Sequence, residues 1–251
     1  FLNAASASHA VLLCSVDGGG LRNAIPREAE AVVMVRTKEY EAFAKELKAY
    51  EKVIKAEYAG IEDAVSIKLK ECEAPKERIA ADVAAKLTKA VVGCPDGVQR
   101  MSVSMPGLVQ TSSNLARVVS DGKSVKLQCL LRSSVNSFLD DMGEKIDLLC
   151  HVFGAEAIFR PGFPTWEYTA KSELRDMLAK AYKELTGKEM KVEATHGGLE
   201  GGAFLSKMPG LDIAAIGCDA TGAHTPQEQL DLKSYKRMVD LVARVLEMMC
   251  E

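Results

Sequence analysis

Four histidines, His9, His151, His196 and His224, are the imidazoles of this 251-residue chain, and their spacing limits the chemistry open to them. None stands in a His-x-Asp, His-Glu-x-x-His or Cys-x-x-Cys arrangement. A zinc site needs several protein donors per ion, and a two-metal site needs more. Any metal centre built on one of these histidines must therefore take its other donors from elsewhere. His224 is the foremost candidate because it falls in GAHTPQEQL, residues 222–230, between an apolar segment expected to be a strand and the last amphipathic helix. The carboxyl ends of strands are where open α/β sheets collect their ligands. The competing reading, a loop histidine bonded to backbone, stays open on spacing alone.

The stretch THGGLEGGAF, residues 195–204, carries Gly197, Gly198, Gly201 and Gly202 after an expected strand. Glycines there let backbone approach a ligand closely, and a following helix could offer free N–H groups. The G-x-G-x-x-G spacing and the P-loop lysine are both missing, which argues against a nucleotide site. A tight strand-to-helix turn explains the same residues. Glu200 in this stretch reads as an exposed turn carboxylate, and no role is assigned to it.

Three further side chains have types suited to binding. The segment SVKLQCLLR, 124–132, alternates as a strand does, with Val125, Leu127, Cys129 and Leu131 on the buried face and Lys126, Gln128 and Arg132 on the other. A guanidinium pointing away from the core can grip a carboxylate with two hydrogen bonds, or can be a solvated edge arginine. Asn23 follows DGGG at a turn-to-strand junction, where asparagine usually satisfies local backbone. Trp166, the single tryptophan, lies in a Pro-rich connector and reads as a packing anchor between domains.

Composition removes several function classes. A net charge of -3, with no Lys/Arg run interleaved with aromatics, gives no electrostatic footprint for nucleic acid. No apolar run reaches the roughly 18 residues of a membrane span, and the start, FLNAASASHAVLLCSV, lacks the basic leader of a signal peptide. The seven cysteines are odd in number, scattered and set among apolar residues, as reduced thiols are. A reducing cytoplasm is the expected compartment.

The elements that must position these residues follow from periodicity. Strands are expected at 10–15 and 31–36, separated by a turn at DGGG, 17–20. Tyr40, Phe43, Leu47, Tyr50 and Ile54 mark a helix, and Ile79, Val83, Leu87 and Val91 mark another, with Pro75 just before its first turn and Gly93 just past its end. Strand-like sequence at 97–120 and the 124–132 strand precede a helix at Asn136–Phe153 carrying Phe138 and Met142. Together these suggest an α+β sandwich with helices on one face of a mainly antiparallel sheet. RPGFPTWEY, 160–168, breaks the pattern and marks a domain boundary.

Beyond it the order becomes α/β. Leu174, Met177, Leu178, Ala181, Tyr182 and Leu185 stripe a helix ended by Gly187. KVEAT and LDIAAIG are expected strands, and Tyr235, Met238, Val239, Val242, Leu246 and Met249 stripe the final helix. So few strands do not complete a domain, and the piece should need a partner to cover its sheet.

In order along the chain, GGGLRNAIPREAEA at 18–31, LLRSS at 130–134, and THGGLEGGAF followed by ATGAHTPQEQL resemble the aminoacyl-histidine dipeptidases. This family, also called Xaa-His dipeptidases or peptidase D, sits with the carnosinases and aminoacylases among the two-zinc exopeptidases. The resemblance covers essentially the whole chain but only the C-terminal half of such an enzyme. It implies a lid and dimerisation domain at 1–161 lacking its N-terminal part, then the C-terminal part of an α/β zinc-exopeptidase catalytic domain at 162–251. A start at Phe1 rather than Met fits that expectation.

Residue by residue, the resemblance makes His224 the last zinc ligand. Arg132 contacts the substrate carboxylate, Asn23 makes a polar contact near the scissile bond, and Gly198 lines the substrate site with its backbone. The family usually carries His-Ala-Gly-Leu-Glu-Cys-Gly where this chain has Gly197 at the second place and Gly201 at the sixth. The His-x-Asp segment, the bridging aspartate, the paired glutamates that include the general base, and the lid His-Ser-Gly motif have no counterpart here. The implied whole enzyme is a cytoplasmic homodimer hydrolysing Xaa-His dipeptides with two zinc ions, and the chain alone is expected to be inactive. The alternative is a non-catalytic lid or partner-binding module.

Overall fold

The computed structural model describes residues 1–251 except Phe163, Gly198 and His224. The chain divides into two compact units. The first comprises Phe1–Arg100, Thr111–Arg132 and Ser137–Phe159; the second comprises Met101–Gln110, Ser133–Asn136 and Arg160–Glu251.

The first unit is built on an antiparallel sheet. Its strands are β1 (Leu12–Gly19), β2 (Ala29–Met34), β3 (Gly97–Met101), β4 (Val109–Ser120) and β5 (Val125–Ser133). They run in the order β2-β1-β4-β3, with β5 also pairing β4. β1 is antiparallel to both β2 and β4. The expected turn at DGGG is instead the end of a strand, because Asp17 and Gly18 pair with Glu30 and Ala29, and Gly19 pairs with Arg117. The glycines serve close approach rather than reversal. A Cβ on Gly18 would stand 2.9 Å from the Ala29 Cβ, and one on Gly19, whose φ is +76°, would stand 1.9 Å from the Ala116 carbonyl oxygen. The chain reverses later, around Arg22–Asn23.

The helices of this unit follow their apolar periodicity. α1 (Leu2–Ser8) is a short run of small residues that buries Ala5. α2 (Tyr40–Glu57) puts Phe43 into the core at 2 % exposure, with the Phe1 ring edge-on to it at 5.3 Å. α3 (Ala81–Gly93) buries Leu87, but it begins well after Pro75 and includes Gly93 as its last residue, so neither residue punctuates it as expected. α4 spans the expected Asn136–Phe153 and buries Met142 at 2 % exposure. Burying side chains of this size contributes roughly 1.5–3 kcal/mol each. On β5 only Lys126 is fully exposed; Gln128 and Arg132 are half-buried, so the second face of this strand is not open to water.

In the second unit, α5 (Glu173–Thr186) packs on α7 (Leu232–Met248) through Leu178, Ala181, Leu241 and Val245. α5 starts with Ser172 accepting the Arg175 N–H at 3.0 Å and stops at Gly187, whose φ of 69° is left-handed. The α7 stripe departs from expectation. Its buried line is Leu241 and Val245, while Tyr235, Val239, Val242, Leu246 and Met249 are exposed, Leu246 at 57 %. The expected strands KVEAT and LDIAAIG form no ladder among the described residues. Strand periodicity states what a segment can pair with, and the backbone donors and acceptors of a ladder also need a neighbouring strand. The ladder that forms is short: β6 (Ala220–Thr221) against β7 (Gln229–Leu230), antiparallel. Between 195 and 211 the chain makes α6 (Gly201–Lys207).

Candidate functional site

The loop carrying Asn23 is shaped by a residue that local sequence does not reveal. Asn114 on β4 donates from its Nδ2 to the carbonyl oxygens of Arg22 and Ala24, each at 2.9 Å, and so clasps the turn on both sides of Asn23. The turn closes with the Ala24 N–H on the Leu21 carbonyl at 3.1 Å. Asn23 itself is exposed, and its carboxamide has no hydrogen bond to a described residue. The expected local backbone role therefore belongs to Asn114, ninety-one positions away, where only the register of β1 against β4 brings it. Nearby, Arg117 ties down the strand end by pairing with Asp17 at 3.3 Å and donating to the Gly19 carbonyl at 3.3 Å.

Arg132 lies at the penultimate position of β5 and is half-buried. Among the described residues its guanidinium has no carboxylate or carbonyl partner, although five N–H donors in a rigid fork call for one. No hydrogen bond or ion pair joins Arg132 to Asn23.

The described residues of 220–230 form a hairpin. Its stem is the β6–β7 ladder, which pairs Ala220 with Leu230 and Thr221 with Gln229. Thr225 organises the tip: its N–H and hydroxyl both donate to the Gly222 carbonyl, at 3.1 and 2.7 Å, and its Oγ1 accepts from the Gln227 N–H at 3.2 Å. Gly222, with φ +67°, is required here because a Cβ would stand 2.9 Å from the Gln227 oxygen. Below the stem, the Asp219 N–H donates to Ser234 Oγ at 2.8 Å, and that hydroxyl donates to the Asp231 carbonyl at 2.8 Å. His224 falls in this loop by sequence, but its own placement lies outside the described residues, as does that of Gly198.

Around the second Gly-rich stretch, Thr195 Oγ1 accepts the Gly197 N–H at 3.1 Å, and Glu200 is an exposed residue whose carbonyl starts α6. Trp166 packs within the second unit against Gly201, where a Cβ would lie 2.6 Å from the indole Cε3. Gly202 is equally confined, since its Cβ would be 2.3 Å from the Pro164 oxygen. These two glycines are thus explained by packing. Asp212 braces the segment 211–217: Oδ1 accepts the Ser172 hydroxyl at 2.6 Å and Oδ2 the Leu174 N–H at 2.9 Å. The Ser172 bond, then the Leu174 bond, holds the Asp212 carboxyl below its ordinary range.

A cavity of about 370 Å³ in the second unit is lined by Tyr182, Leu185, Ile216, Asp219, Arg237 and Leu241, and holds none of the described candidate residues. Among the described residues no three His, Cys, Asp or Glu side chains gather into a group able to hold a metal ion. No described helix is long and apolar enough to cross a membrane.

The sequence signature of peptidase family M20/M25/M40 matches residues 27–248. The chain belongs to that family. It is 30% identical over 235 residues to the cytosol non-specific dipeptidase of Escherichia coli (strain K12), covering 94% of this chain and 48% of that protein. The crystal structure of aminoacylhistidine dipeptidase from Vibrio alginolyticus superimposes with a TM-score of 0.92 at 27% identity, covering 99% of this chain and 51% of that one. The chain spans about half the length of these M20/M25/M40 relatives. The expected fold class, α/β with an antiparallel sheet and helices, is the one found.

Proposed function

We propose that this chain is the part of a dipeptide-hydrolysing peptidase that holds the substrate's C-terminal carboxylate and contributes one metal ligand. The observation that carries the reading is Arg132, a half-buried guanidinium without a partner among the described residues. A partly desolvated cation is stabilised by an anion from outside, and a bidentate pair with a carboxylate contributes roughly 1.5–3 kcal/mol. Such an anchor selects short substrates by measuring from their carboxyl end. Asn23, on the clasped turn, supplies a polar contact near the scissile bond, Gly198 lines the site with backbone, and His224 is the metal ligand. The last three roles rest on the resemblance.

In this reading residues 1–161 are a lid that also dimerises, and 162–251 are the C-terminal part of the catalytic domain. The substrates are Xaa-His and related dipeptides. The names of the two relatives, one non-specific and one aminoacylhistidine, bracket that preference. The cytosolic relative and the free thiols support a cytoplasmic setting. The described residues do not themselves form a donor set for zinc, and a lone imidazole does not hold the ion. The two zinc ions and the general base would require residues supplied by further polypeptide, so the 251-residue chain is inactive in isolation.

The test uses two proteins: the 251-residue chain at verified mass, and the product of the coding sequence extended upstream of Phe1. With zinc and an Xaa-His dipeptide, the first should release no histidine. The second should release it and retain about two zinc ions per chain. Hydrolysis by the short chain would overturn its assigned incompleteness. A metal-free, inactive extended protein would favour a non-catalytic partner-binding module.

A further inference from the structure

Cys94 directly follows α3 and is buried at 8 % exposure, and Cys129 sits half-buried in the middle of β5. Their sulfurs are 3.5 Å apart, and both thiols are free. Bonded sulfurs are about 2.05 Å apart, so closure needs an approach of roughly 1.5 Å. Cys94 Sγ also faces the Pro95 carbonyl at 3.9 Å. Nothing in the proposed peptidase chemistry uses this pair.

We propose that Cys94 and Cys129 form an oxidisable dithiol that closes to an intramolecular disulfide when it meets hydrogen peroxide. The two thiols are unequal in the way this reaction requires. The hydrogen bond between the two sulfurs holds the Cys94 thiol below its ordinary range, while the same contact, then burial, pushes the Cys129 thiol up. Cys94 is therefore the attacking sulfur. It displaces hydroxide from the peroxide O–O bond to give a sulfenic acid, and its proton leaves with that hydroxide as water. Cys129 Sγ then attacks the Cys94 sulfur; the S–S bond forms, the S–O bond breaks, and the leaving hydroxide takes the Cys129 proton as a second water. Two thiols lose two electrons and one peroxide becomes two waters.

The bond would tie the end of α3 to the strand that carries Arg132, enclosing residues 94–129 in one covalent loop. Cross-linking a loop of this length restrains the unfolded chain, so the oxidised form should melt at a higher temperature than the reduced one. Cys150 is the competing partner. It bears electrostatically on both thiols, and its own thiol is pushed up, chiefly by burial.

The experiment treats the Cys72→Ser, Cys250→Ser double variant with stoichiometric hydrogen peroxide, alkylates the remaining thiols, and maps peptides without reduction. These two exposed cysteines are removed to suppress links between chains. The expected product is a Cys94–Cys129 linked peptide, lighter by two hydrogens and reversed by dithiothreitol. In Cys129→Ser, a dimedone-trapped sulfenic acid on Cys94 should replace it. Cys94 and Cys129 both alkylatable after peroxide, or Cys94 linked to Cys150, would overturn the proposal. The map of the double variant decides even where Cys129→Ser fails to fold.

Discussion

The indole of Trp166 lies so close over Gly201 that a Cβ at that glycine would stand 2.6 Å from Cε3. The aromatic ring occupies the space that a side chain at position 201 would need. Gly201→Ala should destabilise the second unit by about 1–3 kcal/mol through overpacking. Trp166 is the single tryptophan, so its fluorescence reports directly on this contact. In a Trp166→Ala background the same substitution should lose most of its cost. Equal cost in both backgrounds, measured by urea denaturation, would show that the ring is not what confines Gly201.

Removing the clasp on the Asn23 turn should loosen that turn without unfolding the sheet. Asn114→Ala loses two hydrogen bonds to backbone carbonyls, those of Arg22 and Ala24. A net contribution of about 0.5–1.5 kcal/mol each sets the expected loss of stability. Hydrogen exchange should rise at residues 21–25 and stay unchanged in β4. Uniform acceleration across the sheet would instead assign Asn114 a global role.

Asp212 makes the second unit sensitive to acid. Its folded pKa is lowered, chiefly by the Ser172 hydroxyl, relative to an unfolded value of about 3.9. Its stabilisation is therefore present above that unfolded value and is lost as pH falls through the lower folded one. The group is exposed, so the effect is small and weakened by salt. Asp212→Asn should be less stable than the parent at neutral pH, and the gap should close on acidification. A gap that widens toward low pH would contradict the assignment.

Replacing Arg132 tests the proposed carboxylate anchor. In the extended protein Arg132→Ala should raise KM by roughly 10- to 100-fold, the equivalent of a lost bidentate pair, with little change in melting temperature. Arg132→Lys should recover only part of this, because an ammonium lacks the planar fork. Dipeptide amides, which lack the carboxylate, should show no difference between parent and variant. An unchanged kcat/KM in Arg132→Ala would remove the residue from the site.

Elements whose signals are local were legible from the amino acids. α4 occupies its expected Asn136–Phe153 span, and α5 ends where Gly187 takes a left-handed conformation. Elements that depend on a distant neighbour were not. DGGG carries a turn composition, yet the opposing Ala29 and Ala116 make it a close-packed strand end. KVEAT and LDIAAIG have strand composition but, among the described residues, no strand beside them. The α7 stripe divides because α5 covers the Leu241–Val245 line and leaves the Tyr235–Val239–Leu246 line bare.

The candidate site follows the same rule. Arg132 could be placed from strand alternation, but its lack of a partner among the described residues could not. Asn114 gave no sequence signal, because its contact depends on strand register. His224 and Gly198 were singled out by loop composition and resemblance, and both lie outside the described residues.

Ser234 fastens the stem of the 220–230 hairpin to the first turn of α7, with its hydroxyl bridging Asp219 and Asp231. One side chain thus joins the stem to the helix. Losing that single hydroxyl, as in Ser234→Ala, would therefore release the strand end and the helix start together.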